Sequence, residues 1–292
     1  MKHFRFILPM VLLAGLAVGA AAQQRVKLGE NAALRYWSAF AQMQDSDITD
    51  QQAKELNLIL EGAAPYSDLK YRGLVQKNQP AIDTMVRGTA LPNCDWGLDY
   101  QLGPETPIDF VRKGLALGRL NVLYALHLLQ TGGPDGAAHV LAAGLRFSHD
   151  VANGGTLFAT LVAKHLLADH LRVIAFALHS GALSKTQRSF LRDAMEQLGT
   201  DGLDWKANLK RELEIPSGTA RNGLDAQALA ALVRITPVYV ASLDKPSTLP
   251  ELQQLIASAP RSLQEILPNP RRAIEEKKDL RDKLAQIRGL LQ

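Results

Sequence analysis

Thr156-Leu-Phe-Ala-Thr-Leu-Val-Ala-Lys-His-Leu-Leu-Ala-Asp-His-Leu-Arg-Val-Ile-Ala-Phe-Ala-Leu-His-Ser180 is the stretch that decides the fold. Its apolar residues recur on nearly every side of a 3.6-residue period, the pattern of a helix buried at the centre of a bundle. Lys164, Asp169 and Arg172 interrupt it, so it holds no uncharged run of the roughly 18 residues that would mark a membrane span. Gly181 ends it, and Ser184-Lys-Thr-Gln187 opens the next segment as a capping box leading to Leu198. The same plan precedes it: Pro107–Thr131, broken only by Arg119 among its longest apolar residues, then Gly132-Gly133-Pro134, then Asp135–Ala152. Leu120–His127 resembles Leu171–His179 with a one-residue offset, and each runs into Gly soon after its His. The period is roughly 50 residues, longer than a tetratricopeptide unit, and points to stacked helical hairpins.

Composition agrees. Of 292 residues, 47% are hydrophobic and 6% aromatic, and Ala plus Leu supply about 30%, an excess of good helix formers over β-branched residues. That excess argues against a β-sandwich or barrel. One Cys excludes a disulfide framework and any Cys-rich metal site.

Working outward, helices are expected from about Asn31 to Met43, from a capping box at Thr49–Gln52 to Gly62, and from Ser67 to Gly88 with a break at Pro80. Ala90–Thr106, with Pro92, Gly97, Gly103 and Pro104, is irregular; at roughly 17 residues it exceeds the usual connection and reads as a functional loop or a domain junction. Downstream, a segment ends at Ile215-Pro-Ser-Gly218, another runs from Leu224 to Val240, and Thr248 to Glu251 caps a short helix. Pro268-Asn-Pro270 launches a last helix to Leu291, with Ile274, Leu280, Leu284, Ile287 and Leu291 on its apolar side. Its opposite face mixes Glu275, Glu276, Lys278, Asp279 and Lys283 and reads as solvated.

The N-terminus reads as an export signal. Lys2, His3 and Arg5 precede an apolar stretch from Phe6 to Val18, and Ala20-Ala21-Ala22 supplies small residues for cleavage before Gln23. Without residues 1–22, the 33 Lys and Arg lose Lys2 and Arg5, leaving 31 against 29 acidic residues, a net +2 in place of the formal +4. That balance gives no reason to expect nucleic-acid binding. The expected mature chain has no transmembrane segment and is periplasmic or secreted.

Candidate chemistry concentrates in two places. Six of the seven histidines fall between His127 and His179: His127, His139, His149, His165, His170 and His179. Their spacing fits no metal template; His165 and His170, five apart, diverge by about 140° on a helix. His127 and His179 sit near helix C-termini, where the dipole favours an imidazolium. The second place is Pro92-Asn-Cys94-Asp95-Trp96-Gly97. A thiol nucleophile would need a depressed pKa and a base, whereas a lone Cys also serves as a small buried hydrophobe. Trp96 could anchor a ligand or cover the core edge, and Asp95 could cap the next structural element or contact Arg87. Asp95, Asp99, Glu105 and Asp109 form no recognisable glycosidase pair. Gly132-Gly133 and Gly154-Gly155 follow helices rather than strands and read as hairpin turns, not phosphate loops.

Asn31-Ala-Ala-Leu-Arg-Tyr-Trp37, Cys94-Asp-Trp-Gly97, the hairpin segment Gly136-Ala-Ala-His-Val-Leu-Ala-Ala-Gly-Leu-Arg146 and the Pro268-Asn-Pro270 entry resemble a group of exported all-helical bacterial proteins of unknown function. That resemblance implies one helical domain in the envelope and carries no catalytic residue or ligand.

The expectation is therefore a single all-α domain over 23–292, of stacked antiparallel hairpins in solenoid or bundle form. Pairs at 107–152 and 156–198 stand at its centre, and a docking helix runs over 270–291. The sequence favours an exported scaffold or binding protein with an unidentified protein or small-molecule partner, without catalysis or cofactor. Its candidate binding residues are Cys94, Asp95, Trp96 and Arg87, and no metal site is expected. Two alternatives stay open: an envelope enzyme combining the 92–99 loop with histidines of the central helices, and haem or metal binding through those histidines.

Overall fold

The computed structural model describes residues 28–44, 49–100, 106–218 and 224–292. The export signal and Glu105 lie outside them. Among the described residues the chain is all-α, with twelve α-helices and no strand; an isolated bridge joins Asn31 to Asn93.

Local chemistry starts and stops the helices. Asn31 caps α1 (Ala32–Gln42) by accepting the Ala33 N–H. Thr49 and Gln52 form a reciprocal capping box on α2 (Asp50–Leu60), and Ser184 with Gln187 does the same for α7 (Lys185–Glu196). Thr156 caps α6 (Leu157–His179). Between these lie α3 (Asp68–Thr89), α4 (Asp109–Gln130) and α5 (Pro134–Ala152). The C-terminal part adds α8 (Trp205–Gly218), α9 (Ala226–Ser242), α10 (Leu249–Ala257), α11 (Arg261–Gln264) and α12 (Pro270–Leu290).

Three local expectations need correction. Pro80 does not break α3, which runs through it. Pro80 and Gln76 are both exposed, so the carbonyl that loses its i+4 donor can turn to water. Thr248 makes no side-chain cap on α10; a 3₁₀ turn, Pro246–Thr248, leads into that helix instead. And α7, expected to form a hairpin with α6, takes its main packing from α5 and α12.

The centre is α5, packed against α3, α4, α6 and α7; α6 in turn meets α4, α5, α8 and α12. The buried side chains form one continuous cluster from Ala32 to Leu291. Close approach of α5 to α6 depends on Gly144, where a Cβ would lie 2.1 Å from His170 Nε2 and 2.6 Å from Asn121 Nδ2. His170, fully buried, is held neutral: burial lowers its pKa to about 4. Its Nδ1–H donates to the Leu166 carbonyl at 2.7 Å, and its Nε2 accepts from Asn121 at 3.0 Å. The charged face of α12 is less solvated than its pattern implies. Buried Lys164 of α6 pairs with Glu276 at 2.7 Å and Asp279 at 2.5 Å, and buried Lys277 pairs with Asp201 at 3.0 Å and Asp244 at 2.5 Å. Among the described residues no helix is long and apolar enough to cross a membrane.

Candidate functional site

Three stretches far apart in sequence meet at the 92–97 loop: the start of α1, the loop itself and the end of α5. Asn31 clasps the loop: its side-chain oxygen accepts the Asp95 N–H at 2.9 Å and its Nδ2 donates to the Asp95 carbonyl at 2.8 Å. The Ala32 N–H donates to the Asn93 carbonyl at 2.7 Å. Behind the loop, Asp150 of α5 is fully buried and ties three elements together. Its carboxylate accepts the Tyr36 hydroxyl at 2.6 Å and faces Arg146 Nε at 3.1 Å. Its main-chain carbonyl accepts the Trp96 indole N–H at 2.8 Å and the Cys94 thiol at 3.8 Å. Trp96 stacks on Phe110 with centroids 4.2 Å apart and lies 5.7 Å from the Tyr36 ring. The Tyr36 hydroxyl replaces part of the water this buried carboxylate has lost, and Arg146 faces its other oxygen as a charge, without a hydrogen bond.

The loop so fixed forms one wall of a cleft of about 650 Å³. Cys94 to Leu98 and Tyr100 line it with Asn153 from the end of α5, Asp204 just before α8, and Ala207, Asn208 and Arg211 from α8. The α8 wall is tethered, since Glu212 accepts the Leu157 N–H that starts α6 at 3.1 Å. Burial raises the Glu212 pKa, and that backbone bond opposes the rise. Arg211 lies over the Tyr100 ring, 5.3 Å from its centroid, a cation–π contact. It also crosses the backbone at Gly155, whose φ is +70° and where a Cβ would sit 2.2 Å from Arg211 Nη1 and 2.9 Å from the Tyr100 hydroxyl. Only glycine takes that φ without strain and leaves that room. Gly154-Gly155 is a turn, as its sequence position implies, and it is also the bed of the cleft's cation.

Two side chains in this wall have unmet capacity. Asn208 is 4% exposed and its Nδ2 has no hydrogen-bond partner. Such a buried orphan donor costs on the order of 1–3 kcal/mol. Among the described residues no carboxylate lies within 4 Å of the Arg211 guanidinium, whose contacts are with Tyr100.

The thiol is poorly suited to attack. Burial first, then the Asp150 carboxylate, push Cys94 well above the ordinary thiol pKa, with Arg146 opposing. Cys94, Asp95 and Trp96 line the cleft, and Arg87 does not. The expected Asp95–Arg87 contact is absent: Asp95 Oδ1 accepts the Gly97 N–H at 2.9 Å, while Arg87 donates to Thr84 at 2.8 Å. Sequence reasoning passed over Tyr100, Asn208 and Arg211. The glycine pair at 154–155 was the only local signal, because α8 joins the loop solely through tertiary packing.

The histidines disperse, and none lines the cleft. His127 bonds to Asp68, His139 packs on the Phe190 ring at 4.6 Å, and His179 Nδ1 bonds to the Ala175 carbonyl at 2.7 Å. His149 Nδ1 lies 3.7 Å from Asp150 Oδ1, behind the loop, and His165, exposed at the surface of α6, has a lowered pKa, chiefly through desolvation of its ring. Among the described residues no three His, Cys, Asp or Glu are grouped to hold a metal ion. Comparison with protein-family models, with curated proteins and with solved structures finds no match to this chain.

Proposed function

We propose that the chain is an exported binding protein of the cell envelope that holds a small polar ligand between the 94–100 loop, the α5–α6 turn and α8, and that Cys94 performs no covalent chemistry. The observation that carries this reading is Asn208: a buried amide donor with no acceptor among the described residues, in the wall of a cleft of about 650 Å³, the size range of small-molecule sites. A side chain whose donor is left unmet in the free protein lowers stability; Nδ2 is sealed from solvent in the free protein, so a ligand oxygen would restore the bond by drawing the Asn208 amide round toward the cleft. Arg211, placed by Tyr100 and Gly155 and without a carboxylate partner among the described residues, supplies charge on the same wall.

The test is a thermal-shift survey of polar metabolites grouped by chemical class at millimolar concentration. The reading predicts that at least one class raises Tm and that Arg211→Gln abolishes the rise. No stabilising class, or stabilisation indifferent to Arg211→Gln, overturns it. Export rests on the Lys2–Ala22 pattern and on the resemblance to exported helical proteins. N-terminal sequencing of protein recovered from the periplasm or medium should begin at Gln23, and an uncleaved cytosolic protein contradicts export.

A further inference from the structure

The charges around the cleft do not share one sign, and that restricts what can fill it. Arg211 and Asn208 stand three residues apart on α8 and so share a face. Together they offer a planar cationic fork and an unmet amide N–H, a set that matches the two oxygens of a carboxylate. Around them stand Asp95 and Asp204, both exposed. Each spends one oxygen on a backbone N–H, Asp95 on Gly97 at 2.9 Å and Asp204 on Ala207 at 3.1 Å. Among the described residues neither carboxylate is in an ion pair within 4 Å. Among the described residues one cation and two carboxylates thus line the cleft, so a simple anion would meet net negative charge there. A simple cation would leave Arg211 and Asn208 unmatched, and a neutral sugar could hydrogen-bond to these groups but would neutralise none of the three charges.

We infer that the ligand is a zwitterion of the amino-acid or short-peptide class, its carboxylate on Arg211 and Asn208 and its ammonium toward Asp95 and Asp204. This inference rests on the binding reading above. The volume of about 650 Å³ exceeds what one small amino acid fills and suits a short peptide. The Trp96 and Leu98 side chains give the lining an apolar part against which a peptide side chain can rest.

The test is isothermal titration of the full-length purified protein with glycyl-leucine, N-acetyl-glycyl-leucine and glycyl-leucine amide, alongside a mixture of the free amino acids. Because the ligands carry the charge changes, no misfolded variant can imitate the result. The zwitterion is expected to bind, and either capped form to bind about tenfold more weakly or worse, the loss of one charge-assisted contact. Asp95→Asn should weaken glycyl-leucine while leaving the N-acetyl form unchanged. Equal affinity for the free and capped peptides overturns the inference, as does absence of binding by every peptide and free amino acid. In either case a different class whose binding needs Arg211 leaves the binding reading standing, and absence of any Arg211-dependent ligand removes both.

Discussion

Gly155→Ala, set beside Gly181→Ala, isolates what the α5–α6 turn does for the cleft. Both glycines have left-handed backbone, at φ +70° and +68°. A Cβ at Gly181 meets nothing within 4 Å, whereas one at Gly155 lies 2.2 Å from Arg211 Nη1, 2.6 Å from Arg211 Cδ and 2.9 Å from the Tyr100 hydroxyl. The shared backbone penalty is about 1–2 kcal/mol, offset in part by about 0.4–1 kcal/mol from the stiffer unfolded chain. Gly181→Ala should therefore cost about 1 kcal/mol. Gly155→Ala adds the overlap, about 1–3 kcal/mol by analogy with overpacked sites, and displaces Arg211 from Tyr100, a contact of about 0.5–1 kcal/mol. Its total should be about 2.5–5 kcal/mol. Urea unfolding of the two variants measures the difference, and titration with a ligand found by the thermal-shift survey measures the consequence. Gly155→Ala should abolish binding that Gly181→Ala leaves intact. Equal destabilisation, or unimpaired binding in Gly155→Ala, would refute the idea that the turn exists to seat Arg211.

Three other outcomes follow from the buried groups. Cys94, protonated by burial and by Asp150, should resist maleimide at pH 7–8 in the native protein and react promptly in urea; fast native labelling would show a free thiolate. Tyr36→Phe removes the 2.6 Å donor to the buried Asp150 carboxylate and should cost about 2–4 kcal/mol, read by urea unfolding; a loss below about 0.5 kcal/mol would contradict the role given to Asp150. Asp169 has its pKa raised to about 6 by burial, opposed by Arg172, Arg119 and Lys283. A carboxyl whose folded pKa is raised contributes stability at low pH and loses it as pH climbs through about 6, a swing on the order of 3 kcal/mol. The stability of Asp169→Asn relative to the parent should thus fall as pH drops from 7 to 4. A difference independent of pH would place Asp169 at an ordinary pKa. His170, with its pKa lowered to about 4, works in the opposite sense in both proteins and cancels from that comparison.

Helices were readable from the sequence wherever the signal was local. The capping boxes at Thr49–Gln52 and Ser184–Gln187, the Pro268-Asn-Pro270 entry into α12 and the all-round apolar pattern of α6 each depend on residues within a turn or two. What the pattern did not contain was which helix each apolar face meets, so α7 was placed on α6 when it packs on α5. Pro80 misled for a related reason: the penalty depends on whether the freed carbonyl sees water, and exposure is a tertiary property. At the site, loop length drew attention to Cys94, Asp95 and Trp96, which do line the cleft. The opposite wall, Asn208 and Arg211, lies over 100 residues away on an unremarkable amphipathic helix. The histidine excess was no guide, because those side chains point to separate neighbours: Asp68, Phe190, Asn121 and the Ala175 carbonyl.

Asn208→Leu tests the central claim most directly, through its effect on the ligand-free protein. Leucine has nearly the same size and needs no acceptor, so if the buried Nδ2 is kept for a ligand, the substitution relieves an unmet bond. Urea unfolding without ligand should then show a gain of about 1–3 kcal/mol, together with weaker binding of any ligand that requires Arg211. A destabilised Asn208→Leu protein with unchanged binding would mean that the amide is satisfied within the free protein, and the cleft would lose its claim to be a ligand site.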